Sequence, residues 1–246
     1  MIASEYERLY QAEERLWWFR AMHLFLRRLL PREHRMPGEF LALDIGCGTG
    51  GFLKKLSGAG YQTMGLEYAR IALDYTRLRQ DRGLVQASAN DLPFESAFDL
   101  VVCVDLLEVG TVEPRKLIDA AIRALKPGGY GIFVMAAHQW LLSEHDRAVN
   151  SVRRYNLRQI RELFAKTGVE ILRSSYLFFF LFPLVAIRKF FNRKRNSAES
   201  AESDVSIPPG FVNAPLYALC WLEAQLVSIF NMPLGSSVII LVRKNA

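Results

Sequence analysis

Leu41-Ala42-Leu43-Asp44-Ile45-Gly46-Cys47-Gly48-Thr49-Gly50-Gly51 decides the fold. Residues 40–45 are a short, nearly all-apolar run that ends in glycines, so they read as a buried strand running into a loop. A helix then opens at residue 51. Gly46, Gly48 and Gly51 satisfy the spacing G-x-G-x-x-G, in which glycine permits a tight turn and lets backbone N–H groups approach a ligand. Taken alone, the loop is compatible with any strand–turn–helix.

Outward from this loop, strands and helices alternate. Strands are expected at 61–67, 84–87, 100–104, 130–136 and 169–177, and helices at 51–57, 71–79, 114–125 and 156–167. Pro114 opens the third of these helices and Gly168 stops the fourth. Such alternation implies an α/β fold with a mostly parallel sheet and helices on both faces. Upstream, Ser4-Glu5-Tyr6-Glu7 has the form of a capping box, and one helix is expected from there to about Leu30, stopped by Pro31. Downstream, 178–191 is very apolar and 196–204 is a Ser/Ala/Glu linker expected to be mobile. Asn213 is expected to cap a further helix that starts at Pro215, and 236–243 to form a last strand. The domain division is therefore 1–36, an N-terminal helical lid; 37–177, the α/β core; 178–234, a hydrophobic helical insert; and 235–246, the final strand of the core sheet.

Three features around the loop narrow its ligand. Glu67 ends the second strand, where a carboxylate can take both hydroxyls of a ribose. Asp44 lies two residues before the first glycine, where it would repel a pyrophosphate but suits a ligand carrying an ammonium and a sulfonium. Residues 88–94 follow the third strand, where an adenine edge would lie. All of these fall at the carboxyl ends of strands, which is where open α/β sheets bind ligands. A nicotinamide or flavin dinucleotide is the competing ligand, and Asp44 argues against it.

The run LALDIGCGTGGFL, then GLE, NDLPFESAFDLVVCVDLLE and ALKPGGYGIFVMA, resembles the class I S-adenosylmethionine-dependent methyltransferases, in particular the broad type 11 group, from residue 40 to about 171. The resemblance implies a Rossmann-like sheet of seven strands with the last one antiparallel. It implies that Asp44, Gly46 and Gly48 hold the methionine part of S-adenosylmethionine. Glu67 would bind the ribose with Tyr68 against the adenine, Ser88 and Ala89 would edge the adenine, and Val104 would offer a carbonyl to the amino group. It extends to Trp17-Trp18-Phe19 near the start and to the run from Ala137 to Tyr155. The chain departs from the group in having Leu16 before the two tryptophans and Val109 after Glu108, both places where members often carry histidine. Ser88 stands where an acidic residue is common.

Methyl transfer is an in-line displacement that needs alignment, and a base only where the acceptor must lose a proton. Two of the four histidines, His138 and His145, follow the fifth strand, with Glu144 and Asp146 adjacent, and are the candidate bases; a strand-end residue and a capped loop residue are the structural alternatives. Trp17, Trp18, Arg154 and Tyr155 are candidates for acceptor binding. No metal site is expected, because neither the histidines nor the three separated cysteines have ligand spacing. A net charge of +6 favours anionic partners. Apolar side chains over 182–191, trailed by Arg188, Lys189, Arg193, Lys194 and Arg195, suit an anionic membrane surface; packing as a buried cap is the alternative. Nucleic acid is not expected as a partner, since no binding module is appended. The expected function is a cytoplasmic S-adenosylmethionine-dependent methyltransferase for a small or lipid-like acceptor, with association with the cytoplasmic face of a membrane left open. A cofactor-binding protein without transferase activity and a nucleic-acid methyltransferase are the alternatives.

Overall fold

The structure, a computed structural model, describes residues 3–30, 40–80, 82–192 and 206–246. Two helices come first, α1 (Ala3–Arg15) and α2 (Trp17–Leu29). The core follows as β1 (Leu41–Ile45), α3 (Gly51–Gly58), β2 (Gln62–Glu67), α4 (Arg70–Arg77), β3 (Leu84–Gln86), β4 (Phe98–Val104), α5 (Pro114–Ala124) and β5 (Leu125–Ala136). The chain continues as a 3-10 turn (Gln139–Leu141), α6 (Glu144–Ala148), α7 (Leu157–Phe164), β6 (Val169–Leu177), α8 (Phe182–Asn192), α9 (Gly210–Val227) and β7 (Ser237–Lys244).

The seven strands form one sheet in the order β3-β2-β1-β4-β5-β7-β6. The first five are parallel, and β7 runs antiparallel between β5 and β6, as the resemblance implied. Leu43, Ile45, Val101, Val102, Phe133 and Val134 are fully buried, because parallel strands covered by helices on both faces have no solvent side. Strand β5 begins at Leu125, earlier than the expected 130, with a register irregularity between Phe98 and Leu100 of β4 and a left-handed Gly128. Helix α7 carries the full reciprocal cap of Asn156 and Gln159 at its start.

The expected single N-terminal helix is instead two, because Leu16 takes an extended conformation between them. Helix α2 buries Met22, Phe25, Leu26 and Leu29, an i, i+3, i+4, i+7 stripe. It packs on α9, which is apolar nearly all round yet buries only Cys220, Glu223, Ala224 and Val227 on the same spacing. Asn213 does not cap its own helix, which begins earlier at Gly210; Pro183 falls in the first turn of α8, where its missing N–H costs nothing. The expected linker over 196–204 and the domain boundary at 36/37 lie outside the described residues.

Candidate active site

The glycine loop leaves β1 at Ile45 and enters α3 at Gly51, and it is pinned to β2: the N–H groups of Gly46 and Cys47 both donate to the carbonyl of Leu66 (2.7 and 3.1 Å). Gly46 and Gly48 have φ of +75° and +57°, the left-handed region that favours glycine. A Cβ on Gly48 would meet Leu9 Cδ2 and Glu13 Oε1 of α1 at 4.0 Å, ordinary van der Waals contact, so the loop backbone at Gly48 faces α1.

Glu67, the last residue of β2, folds its carboxylate back over this loop. Its Oε2 accepts from the Gly48 N–H (3.1 Å) and its Oε1 from the Ala69 N–H (2.9 Å). Asp44 is only 4% exposed beneath the loop. Burial, reinforced by the negative charges of Glu13 and Glu67, pushes its carboxyl up to about 8. The carboxyl groups of Asp44 and Glu67 thus converge on the loop, with Glu13 of α1 close by and paired with Arg79. That donor set suits a cationic ligand. S-adenosylmethionine, with its ammonium and sulfonium, fits where a pyrophosphate would not.

The other cofactor candidates lie at or just after the carboxyl ends of β2, β3 and β4. Tyr68 is 76% exposed next to Glu67 and is free to cover a purine. Ala89 is buried, and Ser88 Oγ accepts from the Asn90 N–H (3.2 Å). Asn90 then ties this loop to the start of α5, donating to Thr111 O (2.8 Å) and accepting from Glu113 N (2.8 Å). Val104 ends β4 beside β1, with Ile45 level with Cys103.

The acceptor candidates lie further along the same carboxyl edge, after β4 and β5. His138 has a left-handed φ of +61°, an uncommon state for a non-glycine residue. Its ring stacks on Tyr176 (5.0 Å, 13°) and meets Phe182 at 5.4 Å, with Nε2 buried and without a hydrogen-bond partner among the described residues. Burial first, and then the positive charge of Arg154, lower its pKa below the usual imidazole value, despite an opposing backbone contact at Gly235. The ring is therefore neutral and able to accept a proton at neutral pH. The side chain of His145 lies outside the described residues; its backbone belongs to α6.

Trp17 and Trp18 both meet Phe178, edge-on at 6.0 Å and stacked at 6.1 Å, so they form an aromatic wall shared with the segment after β6. Arg154 is committed to the protein: it bridges both oxygens of Asp146 (2.8 and 2.9 Å) and donates to Ala137 O (3.2 Å). The Tyr155 hydroxyl donates to Leu107 O (2.9 Å) and is buried. These two residues thus brace the acceptor side, and neither presents its polar group to open space.

A pair of acids was not singled out from the sequence. Asp105, left-handed at φ +50°, follows β4, and Glu108 lies one turn on, its Oε1 accepting from the Ala136 N–H (2.7 Å). No N–H or O–H of the described residues reaches the buried Oε2 of Glu108; its neighbour is the carboxyl of Asp105. Two carboxyls in contact must share a proton. Burial and the adjacent charge hold Glu108 protonated, well above the carboxylate range, and burial raises Asp105 to about 6 against the pull of Glu108 and Arg154. The only hint in the sequence was the position, directly after a core strand. Among the described residues no group of three or more His, Cys, Asp or Glu side chains is placed to hold a metal ion.

Residues 43–133 match the family described as a methyltransferase domain, and the fold and the glycine loop are similar to those of class I S-adenosylmethionine-dependent methyltransferases. A ubiquinone biosynthesis O-methyltransferase of Hydrogenovibrio crunogenus is 30% identical over 131 residues, 48% of this chain and 54% of that protein. The chain thus matches only about half the length of such curated relatives. Among solved structures, a phosphoethanolamine N-methyltransferase 2 of Haemonchus contortus in complex with S-adenosylmethionine aligns with 93% of this chain and 53% of its own, at 21% identity and a TM-score of 0.59. An S-adenosylmethionine-dependent methyltransferase of Thermotoga maritima aligns with 98% of this chain and 96% of its own, at 20% identity and a TM-score of 0.59. At these identities the structures are alike in fold.

Proposed function

We propose that this chain transfers the methyl group of S-adenosylmethionine to a small or lipid-like acceptor at an anionic membrane surface. One observation carries the cofactor half: the carboxylate of Glu67 turned onto the N–H of Gly48, with the buried acid Asp44 beneath the same loop. The bound cofactor supplies an electrophilic methyl group. Glu67 and the loop hold and orient it, and Asp44 neutralises its positive charge once ionised. The aromatic wall of Trp17, Trp18 and Phe178 excludes water from the acceptor side. The neutral His138, with its unpartnered Nε2, takes the acceptor proton, and the Asp105–Glu108 pair is the second group there able to do so.

The lipid-like character of the acceptor is supported by exposed apolar side chains on both helices of the insert. Leu184, Ile187, Phe190 and Phe191 of α8 are exposed, as are Phe211, Trp221 and Leu222 of α9. Phe211 is 81% exposed and Phe190 71%. Among the described residues no helix is long and apolar enough to cross a membrane, so these side chains suit lying on a bilayer. The basic residues 193–195 that would accompany them lie outside the described residues.

Titration calorimetry with S-adenosylmethionine and its demethylated product tests the cofactor half. Glu67→Ala weakens binding by ~1–3 kcal/mol through loss of charge-assisted contacts, and Gly48→Val abolishes it by forcing a β-branched residue into the left-handed backbone of the loop. Unchanged affinity in both variants overturns the assignment. Incubating lysate fractions with the labelled cofactor then shows whether lipid, small-molecule or polymer fractions take up the methyl group.

A further inference from the structure

Helix α1, expected as part of an N-terminal helical lid, lies across the glycine loop. The position a Cβ would take on Gly48 is 4.0 Å from Cδ2 of Leu9 and 4.0 Å from Oε1 of Glu13. Tyr6, one turn earlier on the same helix, is buried beside Glu67: burial and then the Glu67 charge raise its hydroxyl above the usual tyrosine value. Leu9 therefore faces the part of the loop assigned to the methionine moiety, and Tyr6 faces the carboxylate assigned to the ribose.

What holds α1 there is specific. Helix α3 starts at Gly51 behind Gly50, a left-handed cap with no side chain to satisfy the first N–H groups. Glu13 satisfies them from outside. Its carboxylate receives the Gly51 N–H and accepts from Thr49 Oγ1 at 2.6 Å, placing a negative charge at the positive end of α3. The fit is close enough that a Cβ on Gly51 would lie 2.6 Å from Glu13 Oε2. Arg79, after α4, pairs with the same oxygen. It also donates to Thr49 O (3.0 Å) and Tyr10 O, and its guanidinium lies 4.0 Å over the Tyr10 ring. Both partners of the Glu13–Arg79 pair are buried, so neither charge can be left alone without cost. Outside this, Lys54–Glu14 is an exposed pair that adds little.

We propose that α1 is the outer wall of the cofactor cleft, roofing it with Tyr6 and Leu9, and that Glu13, by capping α3 and pairing with Arg79, keeps the roof shut, so that cofactor is exchanged only when α1 lifts. The proposal rests on the cofactor reading above. Glu13 is here a positioning residue, because it acts through α1 and the loop. Tyr6 and Leu9 are the residues that meet the ligand. The cleft is thereby assembled from two separate stretches of the sequence, the loop after β1 and a helix that ends about thirty residues before it.

Hydrogen–deuterium exchange on the full chain, with and without S-adenosylmethionine, tests this. The expected result is that cofactor slows exchange of the amides of 5–15 together with those of the loop, 46–51. Protection of the loop with no change in 5–15 overturns the roof while leaving the cofactor reading intact. No binding of S-adenosylmethionine or its demethylated product by the wild-type chain overturns both. A chase with labelled cofactor then measures dissociation. Glu13→Ala speeds it by ~10-fold or more, and Glu13→Gln, which can keep the bonds to Thr49 and Gly51 but not the charge opposite Arg79, speeds it less. Leu9→Ala, which leaves the buried charges untouched, serves where Glu13→Ala does not fold, and it too speeds release. Unaltered release from Leu9→Ala and from every folded Glu13 variant overturns the proposal.

Discussion

Asn213 on α9 closes the gap between the first two helices: its Oδ1 accepts the N–H of Trp17 at 2.9 Å and its Nδ2 donates to the carbonyl of Arg15 at 2.9 Å. Leu16, at the cap position of α2, has no side-chain group that could satisfy that N–H, so α2 borrows its cap from a residue 196 positions away. The two helices and α9 are locked in register at the point where the tryptophans begin.

Asn213→Ala removes this cap and is expected to cost ~1 kcal/mol, the usual worth of an N-cap side chain. For a chain of this size that lowers the midpoint of thermal unfolding by roughly 2–4 °C. Asn213→Asp, which keeps the acceptor and loses the donor, falls between the two. Thermal and urea unfolding curves decide; an unchanged midpoint in Asn213→Ala means that α2 is held by its apolar stripe alone.

The acid beneath the glycine loop makes a statement about pH. Asp44 titrates at about 8 in the folded protein, against an ordinary carboxyl of 3.8 in the unfolded chain. Between those values the folded form holds a proton that the unfolded form has lost, so the contribution of Asp44 to stability is complete below about 4 and disappears as pH rises through about 8. The cationic cofactor prefers the ionised form. Cofactor binding therefore releases a proton and tightens from pH 6 to pH 8.5. Calorimetry in two buffers of different ionisation enthalpy counts that proton, and Asp44→Asn flattens both pH trends. Uptake of a proton on binding contradicts the sign.

Once an acceptor is in hand, His138→Ala is expected to lower the rate by ~10²- to 10⁴-fold, the usual range for a lost general base. A loss below about tenfold passes the role to the carboxyl pair. In that case Asp105→Asn carries the large loss, and the wild-type rate rises with pH through about 6, where Asp105 gives up its proton.

The exposed apolar side chains of α8 and α9 predict co-sedimentation with acidic liposomes at low salt. Replacing Arg193, Lys194 and Arg195 with Gln removes the salt-sensitive part, since each basic residue near an anionic surface is worth ~1 kcal/mol. Replacing Phe190 and Phe191 with Ser removes the part that persists at 1 M salt, where charges are screened beyond ~3 Å. A wild-type chain that stays in the supernatant with acidic liposomes at low salt rules out the membrane surface, and the lipid-like acceptor loses its support.

The parts of the molecule legible in the sequence are those set by local pattern. The strand–glycine loop–helix at Asp44 to Gly51, the carboxylate at Glu67 and the run of β6 from Val169 to Leu177 follow from hydrophobic periodicity and glycine spacing, and they sit where that pattern put them. What was missed is set by residues far apart in the chain. Ser4 to Leu30 reads as one helix because nothing local breaks it; the break is satisfied by Asn213. Glu13 looks like any charge on a helix flank until Thr49 and Arg79 are brought against it. Asp105 and Glu108 look like a solvated loop, and only burial forces them to share a proton. Glu223, the lone charge on α9, is likewise explained only in three dimensions: it is wholly buried and accepts from the N–H of Phe180 at 3.3 Å, tying the turn before α8 to α9.

The placement of β7 also sets an order of events during synthesis. β6 joins the sheet only through β7, and β5 has β7 as its other neighbour. While the ribosome is still making residue 236, the parallel half of the sheet is already available, but β5 presents a bare apolar edge and β6 has no partner. An unpaired edge of Ile132, Phe133 and Val134 is a template for wrong pairing with another nascent chain. Eight residues, Ser237 to Lys244, end that exposure by sliding between two strands made long before. A chain interrupted just short of them retains the whole glycine loop and yet lacks the means to close its own sheet.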